Sequence, residues 1–276
     1  MKVAIIGCGY VGSQVARLWH AAGDEVTVTT TSPHKQEQLQ TIATTVVILT
    51  GDNLASFREL VQEQDVILLS VAPKQRGGET YAKTYLETAE NLVKAIDSGS
   101  QLKQLIYTSS YGIINDMSGD VVDETVVINP VSDKSKILYQ TEQVLMSAST
   151  PQLKTCILRL SGIYGKGREL IKIFHKRAGT TQPGTGDNYT NWVNLEDIVR
   201  AIAFARQQQL DGIYNVNSDQ VLTSKDFFAQ LFQAHNLPGI TWDSTQTPSR
   251  SLNLKLSSSK LKAAGFEFQH PLIEFI

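Results

Sequence analysis

Cysteine is scarce in this chain: Cys8 and Cys156 are the only two among 276 residues. Two thiols support neither a disulfide framework nor a metal cluster, and no metal is expected. A surplus of charge is missing as well. The 25 basic residues nearly balance the 27 acidic ones, for a net charge of −2. Nothing electrostatic therefore points to nucleic acid or an anionic membrane as a partner. No apolar run approaches the length of a membrane span, and the chain opens on a strand pattern without the layout of a signal peptide. Repeats, heptads and low-complexity tracts are also missing. What remains is 41% hydrophobic and 19% charged, the profile of a soluble globular protein. The expectation is a cytoplasmic protein with one large or two modest domains.

The richest stretch is at the start. Val3 to Ile6 reads as a buried strand, Gly7, Gly9 and Gly12 have the spacing G-x-G-x-x-G, and Ser13 to Ala22 reads as a helix. Its apolar stripe would be Val15, Ala16, Leu18 and Trp19. In this pattern Gly7 permits the tight turn, Gly9 lets the backbone approach a pyrophosphate, and Gly12 lets helix and strand pack closely. Tyr10 and Val11, between the second and third glycines, are further cofactor contacts, and the helix's free N–H groups and dipole would carry the diphosphate. The alternative is a glycine-rich turn with no ligand.

Glu25 to Thr30 reads as the second strand. Folds of this kind that prefer NAD close this strand with a carboxylate for the ribose 2′-hydroxyl. Here Thr30, Thr31 and Ser32 follow Thr29, with His34 and Lys35 close behind. Hydroxyls with a nearby cation suit a 2′-phosphate, so NADP is favoured and NAD remains possible; an ordinary polar turn is the alternative.

Val46–Leu49, Asp65–Ala72, Leu102–Thr108 and Lys154–Leu160 read as further strands. Helical patterns surround Phe57, Leu60 and Val61, and run over Glu79–Ala95 and Ser132–Ala148. This alternation predicts an α/β fold, a Rossmann-type doubly wound parallel sheet over residues 1–160. From 161 to 276 a small mixed C-terminal substrate region, interleaved with the sheet, is expected. It would contain a helix through Ala205, a short strand Ile213–Val216 and a helix Thr223–Gln233 capped by Ser224. Ligands of such sheets sit beyond the carboxyl ends of the strands.

From the fifth strand onward the sequence resembles the extended short-chain dehydrogenase/reductases, most of all their atypical, NAD-dependent epimerase/dehydratase-like branch. Leu105 to Ser110, Asn129-Pro130, Ser135-Lys136 through Glu142, Leu158 to Gly165, Trp192 to Asp197 and Tyr214-Asn215-Val216 carry the likeness in order. The resemblance implies an NAD(P) domain with Asp52 near the adenine. It also implies Ala72, between Val71 and Pro73, near the cofactor ribose.

The family's chemistry uses a Ser or Thr, a Tyr, and a Lys four residues after the Tyr. Ser110 and Lys136 match two of these, with Lys136 also at the cofactor; Ser132 stands where the tyrosine would be. A serine is too weak an acid to replace a phenol directly. Tyr111, Tyr139 and Tyr164 could each supply one, Tyr111 first, or each could be a packing residue. Lys74, Arg76, Tyr164 and Arg168 are candidate substrate contacts. Lys172, Lys176 and Arg177 fit a solvated basic face better. The leading reading is an NAD(P)-dependent oxidoreductase, epimerase or dehydratase acting on a small carbonyl or sugar-type substrate, as a monomer or homodimer. A non-catalytic dinucleotide-binding sensor is the second. A hydroxyacid or nucleotide-sugar dehydrogenase is the third, and the short, mixed second half fits it poorly.

Overall fold

The computed structural model describes residues 1–73, 78–96, 100–248 and 252–275. The chain forms two compact units that exchange segments. The first is Met1–Ile113, Pro130–Arg159 and Val199–Tyr214; the second is Ile114–Asn129, Leu160–Ile198 and Asn215–Ile276. The boundary expected at 160 is thus one of several crossings.

The first unit is built on β1 (Lys2–Ile6), α1 (Tyr10–Ala21), β2 (Glu25–Thr30), α2 (Gln36–Gln40), β3 (Thr45–Ile48), α3 (Leu54–Gln62) and β4 (Val66–Leu69). Then come α4 (Gly78–Tyr81), a π-helical turn (Ala82–Glu87), α5 (Thr88–Ile96) and β5 (Gln104–Ser110). With β7 (Lys154–Leu160) and β12 (Gly212–Val216) the seven-stranded sheet has the order β12-β7-β5-β4-β1-β2-β3. Its β1–β2, β1–β4, β2–β3 and β4–β5 pairs are parallel. It is a Rossmann-type α/β fold. Val3 to Ile6 and Val66 to Leu69 are at most 2% exposed, because helices cover both faces of a parallel sheet. Each of the valine, isoleucine and leucine side chains contributes about 1.5–3 kcal/mol by leaving water.

Several boundaries differ from the sequence reading. Helix α1 begins at Tyr10 rather than Ser13, directly after the glycines. Leu18, expected on its apolar stripe, is 41% exposed; Val11, Val15, Ala16 and Trp19 form the buried face. The fourth strand ends at Leu69, so Val71, Ala72 and Pro73 belong to the loop beyond it. The helix expected over Glu79–Ala95 is interrupted by the π turn, a feature frequent at functional sites.

The rest of the chain supplies β6 (Val121–Val122), α6 (Asp133–Met146), β7 (Lys154–Leu160), β8 (Gly162–Tyr164), α7 (Leu170–Phe174), β9 (Thr181–Pro183), β10 (Tyr189–Thr190), β11 (Trp192–Asn194) and α8 (Leu195–Gln207). They are followed by β12 (Gly212–Val216), β13 (Leu222–Thr223), α9 (Ser224–Ala234), β14 (Thr241–Asp243), β15 (Lys255–Leu256) and α10 (Ser259–Ala263). Strand β12 was read as part of the irregular second half; it is an edge of the main sheet. Thr223, not Ser224, caps α9, its hydroxyl accepting the Asp226 N–H.

Among the described residues the second unit holds four two-stranded sheets and an aromatic core. Trp192 stacks on Phe227 at 5.2 Å, and Phe174 meets Phe227 and Phe228 edge-on. Its C-terminal segment is tied down by polar groups. The buried Asp197 carboxylate accepts the Gln269 and His270 N–H groups. The His270 ring lies between Glu274 at 2.9 Å and Glu196 at 3.2 Å.

Candidate functional site

The three glycines do three different jobs. Gly7 has φ +93°, and a Cβ there would strike the Ser70 carbonyl at 2.5 Å. Gly12 lies against the Gly7 carbonyl and the Ile5 side chain, so α1 rests directly on β1. A Cβ on Gly9 would meet none of the described residues within 4 Å. One flank of the loop is therefore closed by the Ser70 backbone and the other by the Gly7 carbonyl and Ile5, while the space at Gly9 is open among the described residues. Thr29 of β2 holds the loop from below: its hydroxyl accepts the Gly7 N–H and its carbonyl the Cys8 N–H, both at 3.2 Å.

Gly9 is the N-cap of α1 and offers no side chain to the first turn. The first N–H groups of a helix have no intrahelical partner, and the dipole there favours an anion. Open space above such a turn fits a dinucleotide's pyrophosphate.

At the end of β2 the Thr30 hydroxyl accepts the Ser32 N–H at 3.1 Å, and the Ser32 carbonyl accepts the Lys35 N–H at 3.0 Å. Thr31 and Lys35 are exposed. Ser32 is 6% exposed, so the structure tucks it under this turn instead of displaying it for a ligand as expected. A cation the sequence reading missed also belongs here. Burial pushes the Cys8 thiol up to about 11, while Arg17 and Lys35 both pull it down. Both cations therefore act within electrostatic reach of the loop. The available signal was a basic residue on the first helix after the glycines. Asp52 is exposed in the loop after β3, and the Thr50 hydroxyl and its own N–H hold its carboxyl below the usual range. Val71 is half-buried against the sheet core, and Ala72 is exposed.

Ser110 ends β5, and its hydroxyl oxygen accepts the Gly112 N–H at 3.1 Å. Tyr111 begins the single 3-10 turn Tyr111–Ile113 that continues the strand. One residue back, the Ser109 hydroxyl donates to Glu142 of α6 at 2.5 Å. The Arg159 guanidinium reaches the same carboxylate at 2.7 Å, with both side chains at most 3% exposed. This clasp locks β5, α6 and β7 together.

Helix α6 carries both residues of the expected pair at its start. Ser132 is the N-cap of the helix, and its carbonyl accepts the Lys136 N–H at 2.9 Å. Its hydroxyl accepts the Ser135 N–H, and the Ser135 hydroxyl accepts the Ser132 N–H, a reciprocal cap that fixes where the helix starts. Lys136 is an exposed residue of this helix. Its side chain is 54% exposed and pairs with Asp133 at 3.8 Å, about 120° around the helix from Glu142. The lysine that meets a neighbouring element is Lys134, whose ammonium lies 5.2 Å from the Tyr81 ring centroid. Tyr81 in turn packs on Tyr85 at 5.3 Å. Burial, then the neighbouring Tyr81, pushes the Tyr85 phenol up to about 12. Tyr139 is half-buried on α6.

Lys74 and Arg76 lie outside the described residues. In the second unit Tyr164, expected at the substrate, is a core residue only 2% exposed. Its hydroxyl donates to the Leu272 carbonyl at 3.4 Å and accepts the Glu274 N–H at 3.3 Å. Arg168 is exposed, its backbone bridged to Gly165. Lys172 pairs with Glu169 at 2.8 Å, and Arg177 stacks on Phe174 and Phe228. Among the described residues no three His, Cys, Asp or Glu side chains gather to hold a metal. Among them, too, no helix is long and apolar enough to cross a membrane.

This chain is 27% identical over 276 residues to the protein YeeZ of Escherichia coli strain K12, covering 98% of this chain and 96% of that one. Its fold superposes on the UDP-glucose 4-epimerase of Thermotoga maritima with a TM-score of 0.80 at 21% identity, over 98% and 94% of the two chains. It superposes on the NAD complex of Bacillus cereus UDP-glucuronic acid 4-epimerase with a TM-score of 0.77 at 17% identity, over 95% and 92%. A model of the NAD dependent epimerase/dehydratase family matches residues 3–217. With the glycine loop, the parallel sheet and that match in agreement, the chain belongs to the NAD dependent epimerase/dehydratase family.

Proposed function

We propose that this protein is an NAD(P)-dependent oxidoreductase, epimerase or dehydratase that acts on a small carbonyl or sugar-type substrate and prefers NADP. It would work in the cytoplasm as a monomer or homodimer. The observation that carries the reading is the glycine loop, closed at Gly7 and Gly12 and open over Gly9. The loop and the first turn of α1 would hold the pyrophosphate, and Asp52 would lie by the adenosine. A bound nicotinamide would supply hydride chemistry.

The preference for NADP rests on the threonine-rich end of β2, which has no carboxylate, and on Arg17 and Lys35 acting together at the loop. Charge-assisted hydrogen bonds to a 2′-phosphate contribute about 1.5–3 kcal/mol, so NADPH should bind roughly tenfold or more tightly than NADH. Calorimetric titration of both, with Arg17→Ala and Lys35→Ala alongside, is the test. Equal or inverted affinities would reject NADP.

Ser110 is the candidate for the substrate's oxygen, because accepting from Gly112 leaves its own proton to donate. Tyr111, next along the chain, is the candidate phenol. Loss of general acid–base catalysis costs on the order of 10²–10⁴ in rate, so Tyr111→Phe should lower turnover that far with cofactor affinity unchanged. Exposed Arg168 is the candidate for an anionic group on the substrate. One observation favours a second reading, a dinucleotide-binding sensor: the serine in the tyrosine's place is a helix cap. Cofactor absorbance under a panel of sugars, nucleotide sugars and simple carbonyls separates the two, since a sensor binds without turnover.

A further inference from the structure

Glu142 fixes how α6 is rotated, because Ser109 of β5 and Arg159 of β7 both hold its carboxylate. From that fixed point, about 100° per residue sets the direction of every other side chain. Lys136 falls about 120° from the direction of Glu142, on the exposed side where it meets Asp133. Lys134 falls about 80° to the opposite side, the side of the buried Leu138, Thr141 and Leu145. There its ammonium lies over the Tyr81 ring.

Height along the helix agrees with direction. Lys134 is in the first turn, and α6 packs against both α4 and the 3-10 turn that continues β5. A helix linking two parallel strands of one sheet runs back against them, so its first turn lies at their carboxyl edge, where such sheets bind ligands.

We propose that Lys134, not Lys136, is the cation that α6 gives to the cofactor, gripping the nicotinamide-nucleotide half with Tyr81 as its support. This rests on the dinucleotide reading above. A ring face holds an ammonium by its quadrupole and takes none of its three N–H donors. Those donors are left for ribose hydroxyl or phosphate oxygens. Lys134 is exposed like Lys136, but its ammonium rests on the ring of Tyr81, which packs on Tyr85.

The test compares two ligands by calorimetry: NADPH, and adenosine 2′,5′-bisphosphate, which lacks the nicotinamide half. Lys134→Ala should weaken NADPH about tenfold and leave the bisphosphate unchanged, and Lys134→Arg should restore most of the loss. Lys136→Ala should match wild type with both ligands. Unchanged NADPH affinity in Lys134→Ala, an equal loss for both ligands, or a selective NADPH loss in Lys136→Ala would each overturn the assignment. Wild type that binds neither NADPH nor NADH would overturn the dinucleotide reading itself, a failure visible before any variant is compared.

Discussion

Gly12 stands so close to Gly7 that a Cβ built on it would lie 2.4 Å from the Gly7 carbonyl oxygen. Gly12→Ala must therefore push α1 off β1, and the Ile5 methyl at 3.2 Å closes the other way out. Overpacking of this kind costs about 1–3 kcal/mol. Thermal unfolding should show a clearly lower Tm for Gly12→Ala and almost none of that loss for Gly9→Ala, which has open space. Equal Tm values for the two would contradict the packing described.

The Glu142–Arg159 pair gives a second prediction. Glu142→Gln leaves a buried guanidinium without its counter-charge, which costs about 3–5 kcal/mol. Adding Arg159→Met should recover much of that loss, because the unpaired charge is then gone. Denaturant unfolding measures both. A single-variant loss below about 1 kcal/mol, the range of exposed pairs, would show that the pair is not buried in solution.

The glycine loop was legible because each of its residues answers to the backbone beside it. Strand, turn and helix follow from residues 3 to 22 alone, and the parallel sheet from the alternation of apolar runs. The end of α6 nearest the site was not legible, for a physical reason. The spacing of Ser132 and Lys136 says only that four residues separate them. Ser132 caps the helix, and the rotation of α6 is set by Glu142 reaching Ser109, a contact across 33 residues. Tyr164 was misplaced for a similar reason: its burial depends on Leu272 and Glu274, more than 100 residues further on. The contribution of Arg17 likewise required knowing how α1 lies beside the loop.

His270 makes stability depend on pH. Burial alone would lower its pKa, but the hydrogen bonds to Glu274 and Glu196, with the charges of Glu274 and Asp197, outweigh that and raise it above 6.5. A raised folded value means the stabilisation is fully present below the unfolded pKa and is lost as pH rises through the folded one. From about pH 6 to about pH 9, the Tm advantage of wild type over His270→Gln should shrink. A gap that stays constant or widens over that window would show that the ring is not held as a cation between the two carboxylates.

The central claim is that the loop from Gly7 to Gly12 holds a dinucleotide, and Gly9→Val tests it most directly. The branched side chain enters space that no atom of the described residues occupies within 4 Å of the Cβ, so the fold has no reason to change while the pyrophosphate's place is filled. Calorimetry with NADPH and NADH, beside circular dichroism and thermal unfolding, reads both effects. The account predicts binding to wild type, binding abolished in Gly9→Val, and a Tm close to wild type. Unchanged affinity in a folded Gly9→Val would contradict it.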